Sequence, residues 1–286
     1  MTLMPKDMWF GVHAPPEGRD FADEKRICLA SEEAGFDLFT MTDHMMNMRN
    51  PNGVGNHPLE CWTALGGLAA VTSRIMLGPL VSCYGYRRPT VLAKMATTVD
   101  IISDGRLIFG IGAGWHEEEF KGFMGQFPPP KERLEGLRET VQICKSMFSK
   151  ERTTYHGKMY DINNVLNSPQ PVQRPIPIMV GGSGEKVTLK IAAQYADISH
   201  LFAANVDELE HKLSVLKKHC KAVNRDYDKI RKATAMNMEC GDMPDATEKT
   251  VEAIEEYKKR GIGLITFRFS NLKDLQRFSK EIITRF

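Results

Sequence analysis

The chain has 286 residues, 42% of them hydrophobic and 26% charged, a composition that predicts a globular protein with a large buried core and excludes a disordered one. Its 38 basic and 36 acidic side chains leave a formal net charge of +2, which argues against a nucleic-acid-binding surface. Six cysteines without a Cys-x-x-Cys pair, a charged N-terminal region and no run of about 18 apolar residues predict a cytoplasmic protein with free thiols and no membrane span.

Short apolar runs alternate with longer amphipathic stretches along the whole chain, a pattern of repeated strand–helix units. The predicted strands cover residues 8–13, 37–41, 75–82, 106–111, 177–180, 196–202, 230–239 and 262–267. The predicted helices cover residues 21–34, 59–72, 90–102, 131–148, 185–195, 207–223, 246–260 and 271–283. An open doubly wound sheet shares this alternation, but eight units favour an α/β fold of the (β/α)8 TIM-barrel type, with residues 1–286 as a single domain.

Two stretches interrupt the alternation and are predicted to lie outside the barrel. Residues 115–130 end in three consecutive prolines, and residues 150–175 contain prolines at positions 169, 171 and 175. Within the second stretch, two short β-type runs flank a glycine in residues 153–160, which predicts a small hairpin.

The second predicted strand ends at Asp43 and His44. In a barrel, the residues that follow each strand lie at the end that carries the chemistry. An imidazole there transfers protons near neutral pH, and Asp43 either hydrogen-bonds a cofactor or caps the following loop. A turn with a solvated histidine is the structural alternative. His57 is too distant and too loosely framed to complete a zinc signature with His44, so no metal is predicted.

The third predicted strand contains Gly78 and Pro79, two residue types that weaken regular pairing inside a sheet. They predict a bulge before Cys83, and a bulge is a place where the backbone can be pressed against a ring system. A simple kink in the barrel is the alternative. Pro89 then suits the start of the next helix.

The fourth predicted strand leads into the glycine-rich segment Gly110-Ile-Gly-Ala-Gly-Trp115. Glycines at this density let main-chain N–H groups approach a planar ligand. The Gly-x-Gly-x-Gly spacing, after a fourth strand, differs from the Gly-x-Gly-x-x-Gly that follows the first strand of a dinucleotide-binding fold. The next segment, His116-Glu-Glu-Glu-Phe120, lacks the second histidine of a zinc-protease motif. Its glutamates are predicted to form the charged face of a short helix.

The fifth predicted strand opens into Gly181, Gly182, Ser183 and Gly184 before an amphipathic helix. A strand, a glycine turn and a helix N-terminus in this order form an anion site. Backbone amides, the Ser183 hydroxyl and the positive end of the helix dipole would all favour a cofactor phosphate. An ordinary glycine-rich turn is the alternative.

The last three predicted strands carry further polar side chains to the same end of the barrel, namely His200, Asn237, Glu239 and Arg268. Each of these either lines a substrate pocket or is a hydrogen-bonded barrel residue without a further role. Both interpretations stay open at this stage.

Four of these segments together resemble the bacterial luciferase-like monooxygenase superfamily: Thr42 to His44, Gly78 to Pro89, Gly110 to Trp115 and Val180 to Gly184. The resemblance runs in the expected order from Trp9 to about residue 270. The Gly-Ala-Gly-Trp variant, with residues 155–160 ahead of the proline-rich stretch at 169–175, looks most like the branch that uses the deazaflavin coenzyme F420.

The resemblance implies an enzyme that transfers a hydride between a deazaflavin lying across the barrel mouth and a small organic substrate. It implies that His44 contacts the ring and acts as acid or base, and that Asp43 lies near the pyrimidine edge. A bulge, often with a non-prolyl cis peptide bond, would back the ring, and the glycine turn would receive the phosphate. The residues implied to bind the coenzyme are Asp43, Leu80, Val81, Ser82, Cys83, Ala113, Gly114, Trp115, Gly181, Gly182, Ser183 and Gly184.

Trp115 is a departure from better-known deazaflavin dehydrogenases of this family, which have a glutamate at this position. An indole cannot replace a carboxyl group as a proton donor. Glucose-6-phosphate or secondary-alcohol activity is therefore not carried over, and His44 remains the first candidate for proton transfer, with His116 second.

Two other functions compete with a deazaflavin enzyme. One is an FMN-dependent monooxygenase that uses oxygen and reduced flavin from a partner reductase, and the other is a barrel that binds a flavin without turning it over. The family resemblance also implies a homodimer.

Overall fold

The structure, a computed structural model, describes residues 6–48, 55–236 and 246–286. Its strands are β1 (Trp9–His13), β2 (Leu38–Met41), β3 (Met76–Pro79), β4 (Ser82–Cys83), β5 (Phe109–Gly112), β6 (Arg152–His156), β7 (Asp161–Leu166), β8 (Ile178–Gly181), β9 (Ile198–Leu201), β10 (Arg231–Met236) and β11 (Ile262–Phe267). Its helices are α1 (Phe21–Glu33), α2 (Cys61–Val71), α3 (Pro89–Ile102), α4 (Glu117–Met124), α5 (Pro130–Met147), α6 (Thr188–Tyr195), α7 (Val206–Ala222), α8 (Ala246–Lys259) and α9 (Leu272–Glu281). None of these helices is long and apolar enough to cross a membrane.

Nine strands form one parallel sheet in the order β3-β2-β1-β11-β10-β9-β8-β5-β4. Leu77 of β3 also forms a parallel bridge with Leu107, just before β5, so the sheet closes on itself. Because β3 and β4 are two halves of one interrupted strand, the nine strands occupy eight positions around the barrel. The predicted (β/α)8 TIM barrel is confirmed, and the strand expected at 75–82 is broken at Leu80 and Val81.

Both predicted excursions from the alternation are present. The hairpin expected within residues 153–160 is confirmed but longer, because β6 and β7 pair as antiparallel strands that extend from residue 152 to residue 166. The first excursion, residues 115–130, contains α4. The five cysteines within the described residues are buried free thiols, and Cys240 lies outside those residues.

Some predicted boundaries differ from the observed ones. The helix expected to begin at residue 185 begins at Thr188, because a turn occupies residues 185–187. β10 is described as far as Met236. The predicted end of that strand, with Asn237 and Glu239, lies outside the described residues.

The barrel interior contains a compact apolar cluster. It consists of Trp9, Leu38, Met76, Leu80, Ile108, Met179, Ile198, Ala233 and Leu264, which come from all eight strand positions. A larger apolar cluster fills the space between the sheet and the helices. Because side chains alternate between the two faces of a strand, residues two or four positions further along also point into the barrel, above the small cluster. This inner face of the mouth carries His13, Thr40, Thr42, His200 and Thr266.

The glycines of β5 face the chain break between β3 and β4. A Cβ atom on Gly110 would lie 1.9 Å from the carbonyl oxygen of Pro79, and one on Gly112 would lie 2.7 Å from the side chain of Val81. Gly181 of β8 approaches Val81 from the other side, where its Cβ would lie 2.6 Å away. These glycines therefore allow the bulged segment to pack into the wall of the barrel, a requirement that exists without any ligand.

We predict that Gly110→Ala lowers the free energy of unfolding by about 3 kcal/mol, because the added methyl group overlaps a backbone carbonyl that cannot move away. Gly66→Ala is the control, since nothing lies within 4 Å of a Cβ at that position on α2. It should leave stability unchanged or raise it by about 1 kcal/mol, the gain expected in a helix. Urea unfolding measures both, and equal losses in the two variants would contradict the packing argument.

Candidate active site

The predicted site residues lie at the carboxyl ends of strands. Asp43 and His44 follow β2, Ala113 to Trp115 follow β5, and the glycine turn 181–184 follows β8. The bulge from Leu80 to Cys83 lies between them in the same wall. Since all nine strands are parallel, these segments meet at one open end of the barrel, which we call the mouth.

Asp43 is buried in an ion-pair network beneath the mouth. Its carboxylate accepts two hydrogen bonds from Arg87, at 2.7 and 2.9 Å, and a third from the hydroxyl of Ser82 at 2.8 Å. Ser82 in turn accepts a hydrogen bond of 2.7 Å from the indole N–H of Trp62. A carboxylate offers about four acceptor positions, so most of the capacity of Asp43 serves to join the end of β2 to the bulge.

The bulge presents Val81 at the mouth. The Leu80–Val81 peptide bond is cis, a non-prolyl cis bond of the kind that the resemblance implied. The Val81 side chain is half-buried between Gly112 and Gly181. The result is a small apolar platform with glycine on both sides.

His44 is held by a glutamate that the sequence interpretation assigned to an exposed surface. Its Nδ1 lies 2.8 Å from Oε2 of Glu119, and the two side chains are 14% and 0% exposed. The carboxylate of Glu119 also accepts hydrogen bonds from the hydroxyl of Tyr86 and from the amides of Met45 and Met46. The predicted charged face is correct for Glu117 and Glu118, which are exposed, and wrong for Glu119.

Two features of the sequence could have indicated the position of Glu119. His116 caps α4 by accepting a hydrogen bond from the Glu119 amide at 3.2 Å, three residues on, and such spacing marks a helix start. Phe120 is an apolar residue that must face inward, and it is 3% exposed. Once the start of α4 and its inward face at Phe120 are known, Glu119 is placed next to that buried face.

The charge state of Glu119 orients the imidazole. Burial raises the pKa of Glu119, but hydrogen bonds from His44 and Tyr86 outweigh burial and hold the pKa below its ordinary value. Burial and the same hydrogen bond raise the pKa of Tyr86, so the phenol keeps its proton and donates. An ionised carboxylate can only accept, so Nδ1 of His44 must be the donor. Nε2 of His44 is then the nitrogen available to a ligand.

Trp115 lies on the open side of His44. The indole is 64% exposed, and its ring centre lies 5.6 Å from that of His44 in an edge-to-face arrangement. His116 is also close, with 6.1 Å between its ring centre and that of His44. However, Nδ1 of His116 accepts the capping hydrogen bond of α4, which ties this ring to a structural role.

The glycine turn after β8 has unused amides but no free hydroxyl proton. Ser183 donates to the carbonyl of Phe202 and accepts from its amide, both at 2.7 Å. A hydroxyl has one proton, so the expectation that Ser183 donates to a phosphate is not supported by this geometry. The backbone amides of residues 183–188 run from this turn to the first residue of α6. None of them donates a hydrogen bond to a described backbone carbonyl. These amides retain the capacity to bind an anion.

Two buried histidines lie at the mouth: His200, for which the sequence left two interpretations open, and His13, which the sequence did not single out. Burial, with the nearby Arg268 and His200, lowers the pKa of His13 to about 3, and burial lowers the pKa of His200 to about 4. Both are therefore neutral near pH 7. Their strands could be recognised from the sequence, but the hydroxyl groups opposite them come from other strands.

Threonine hydroxyls decide which ring nitrogen carries the proton. Nδ1 of His13 lies 3.0 Å from the hydroxyl of Thr40, which donates its own proton to the carbonyl of Val12. We therefore assign Nδ1 as the donor and Nε2 as a bare acceptor. Nε2 of His200 lies 3.1 Å from the hydroxyl of Thr266, which donates to a backbone carbonyl, so Nδ1 is bare there.

Comparisons with known proteins identify the family. The luciferase-like monooxygenase family profile matches residues 5–281. Pyrimidine monooxygenase RutA of Acinetobacter baylyi is 29% identical over 198 residues, which cover 68% of this chain and 53% of that protein. The chain thus spans about half the length of the curated relatives it matches.

Solved structures share the fold at low identity. The coenzyme F420-dependent tetrahydromethanopterin reductase from Methanopyrus kandleri superimposes with a TM-score of 0.82 at 19% identity, covering 98% of this chain and 99% of that one. The riboflavin lyase RcaE, solved with modified FMN and riboflavin, has a TM-score of 0.75 at 14% identity, covering 89% of this chain and 67% of that one. At these identities the likeness establishes the fold.

We predict that Glu119→Gln weakens the hydrogen bonds that hold His44 and the residues after it. An amide has one accepting oxygen, so its NH₂ group must face other donors, either the amides or the pair formed by His44 and Tyr86. The loss should be roughly 1–3 kcal/mol of unfolding free energy. Nitrogen NMR of the imidazoles distinguishes the two orientations: the His44 proton leaves Nδ1 if the NH₂ group faces His44 and Tyr86, and it stays on Nδ1 if the NH₂ group faces the amides.

Glu118→Gln is the matched control, because Glu118 lies on the same helix and is exposed. It should change neither the stability nor the His44 spectrum. An unchanged Nδ1 proton together with unchanged stability in Glu119→Gln would show that Glu119 does not hold the ring.

Proposed function

Because the chain belongs to the luciferase-like monooxygenase family, we propose that it is an oxidoreductase that binds coenzyme F420 across the mouth. It would transfer a hydride between the deazaflavin ring and a small organic substrate. The observation that carries the proposal is the imidazole of His44, which Glu119 fixes at the same end of the barrel as the apolar platform of Val81.

The mouth fits a planar ring with a phosphate-bearing side chain. Val81 offers an apolar surface without neighbouring side chains on either flank, because Gly112 and Gly181 lack a Cβ atom. The unused amides of the turn after β8 suit a phosphate. The buried hydroxyl of Thr42 and Nδ1 of His200 have no hydrogen-bond partner among the described residues, and polar edges of a ligand would satisfy them.

The protein's own contribution to the reaction is proton transfer and positioning. A bound deazaflavin supplies the hydride donor or acceptor. Nε2 of His44 holds or receives the proton on the substrate atom that changes oxidation state, and Glu119 stabilises the imidazole while it is protonated. Trp115 shields the open side of this imidazole from water.

FMN is the second candidate coenzyme. The alignment with a pyrimidine monooxygenase and the fold shared with a riboflavin lyase solved with modified FMN support it. The fold is shared as fully with an F420-dependent reductase, so the preference for the deazaflavin rests on the Gly-Ala-Gly-Trp variant and on residues 155–160 of the sequence. A flavin-binding barrel without turnover is the third candidate. Such a protein would not need the buried hydrogen bond between His44 and Glu119.

We predict that the purified protein binds oxidised coenzyme F420 at least tenfold more tightly than FMN. Equilibrium titration, followed by the absorbance and fluorescence of each coenzyme, measures both. Reduced FMN should not increase oxygen consumption. Binding of FMN alone, or flavin-dependent oxygen uptake, would overturn the proposal in favour of a monooxygenase.

We predict that His44→Gln lowers kcat by about 10²–10⁴-fold, the usual contribution of a general acid or base, with coenzyme affinity changed less than fivefold. The assay follows deazaflavin absorbance with the first substrate found in a screen of alcohols, aldehydes and unsaturated carbonyl compounds. His156→Gln is the control, because this histidine lies on the hairpin with its side chain 71% exposed. Equal rates in wild type and His44→Gln would show that His44 is a bystander.

We also propose a homodimer. A groove of about 590 Å³ beside α3 and β7 is lined by the apolar side chains of Val91, Ile102 and Leu166, which are 52%, 44% and 51% exposed. Exposed apolar patches of this kind mark interaction surfaces.

Val91→Asp should shift the mass measured by analytical ultracentrifugation from two chains to one, whereas a monomeric wild type would rule the dimer out.

A further inference from the structure

A cavity of about 1200 Å³ opens beside the mouth, between the segments that follow β1 and β11. Ordinary small-molecule sites have volumes of roughly 300–1,000 Å³, so the cavity is large enough for a substrate. His13, at the end of β1, lines it from the inner face of the mouth. The proposed coenzyme site and this cavity are therefore neighbours.

Most charged side chains that line the cavity are cations. Among the described residues they are Arg19, Arg26, Arg268 and Lys273, against the single carboxylate of Glu17. The first residues of α9 also line it, and the N-terminal end of a helix carries partial positive charge. The cavity thus favours an anion.

Two of these cations pair with neighbouring carboxylates, whereas Arg268 and the exposed Lys273 pair with no described residue. Arg19 pairs with Glu24 at 3.4 Å, and Arg26 pairs with Asp23 at 2.7 Å. No described residue forms a hydrogen bond or an ion pair with the guanidinium of Arg268. An arginine keeps its charge at every accessible pH and offers five N–H donors, which suits a carboxylate or phosphate.

His13 adds an acceptor to this cation. His13 lines the cavity, and because its Nδ1 proton is committed to Thr40, Nε2 is the ring nitrogen left to accept a hydrogen bond. A neutral histidine in this tautomer cannot bind an anion, but it accepts a hydrogen bond from a hydroxyl or an N–H group. Arg268 and His13 therefore recognise different groups on one ligand: Arg268 recognises an anion, and His13 recognises a hydrogen-bond donor.

We propose that this cavity binds an organic acid that also carries a hydroxyl or N–H group. Arg268 pairs with the acid group, and Nε2 of His13 accepts the hydrogen bond. That the acid is the substrate rests on the proposed function, whereas the binding site itself does not. The acid group is a carboxylate or a phosphate ester, which share the chemistry that arginine recognises.

Isothermal titration calorimetry on the whole chain without coenzyme tests binding directly. The probes are mandelate, phenylacetate without the hydroxyl, mandelamide without the charge, and phenyl phosphate. Mandelate should bind at least tenfold more tightly than mandelamide and severalfold more tightly than phenylacetate. Tighter binding of phenyl phosphate would support the phosphate form of the proposal. Equal affinity for mandelate and mandelamide would overturn it.

Variants assign the two roles. Arg268→Met should weaken mandelate binding about tenfold, the size of one lost charge-assisted hydrogen bond. Arg152→Met, an exposed arginine on the hairpin, should leave binding unchanged. His13→Phe should abolish the preference for mandelate over phenylacetate. Should that variant misfold, Thr40→Val removes the hydroxyl that orients His13 and should reduce the same preference, and an intact preference in a folded variant would exclude His13.

Coenzyme titration of Arg268→Met separates this inference from the proposed function. Unchanged F420 affinity together with weaker mandelate binding supports a substrate site. Weaker F420 affinity with unchanged mandelate binding would show that Arg268 serves the coenzyme, and it would overturn the inference. Mandelate binding in a protein that binds no F420 would leave the acid site standing and remove the proposed hydride transfer.

Discussion

The close packing of the bulged segment against glycines is the constraint on which the mouth depends. Val81 fits between Gly112 and Gly181 because neither has a side chain, and Pro79 approaches Gly110 for the same reason. Packing of this density leaves no room for a methyl group. The bulge then carries Ser82 under Asp43, so a steric condition on β5 and β8 sets the position of residues from β2.

A second layer of order comes from the buried carboxylate of Glu119. It joins the end of β2, through His44 and the following amides, to Tyr86 and to α4. Four donors converge on its two oxygens, which holds the group ionised in a buried place. The excursion that contains α4 is thus part of the site, although it lies outside the repeat of strands and helices.

The mouth has two chemically different sides. On one side, His44 is held by a carboxylate and can exchange a proton through Nε2. On the other side, His13 and His200 are kept neutral by burial and can only exchange hydrogen bonds. We therefore propose that the three histidines at this barrel end divide into one proton-transfer group and two recognition groups, and that their surroundings make the difference.

The sequence by itself determined the barrel, the order of its strands, the hairpin and the family, because periodicity, turn residues and short glycine motifs are local properties of the chain. It also placed His44 and the glycine turn after β8 at the carboxyl ends of strands, where the structure has them. Only the tertiary structure showed that Glu119 is buried against His44, that Ser183 donates its hydroxyl proton to the carbonyl of Phe202, and that Thr40 orients His13. These pairs lie 75, 19 and 27 residues apart, and a hydrogen bond between distant residues depends on strand register and helix orientation, which the local pattern does not contain.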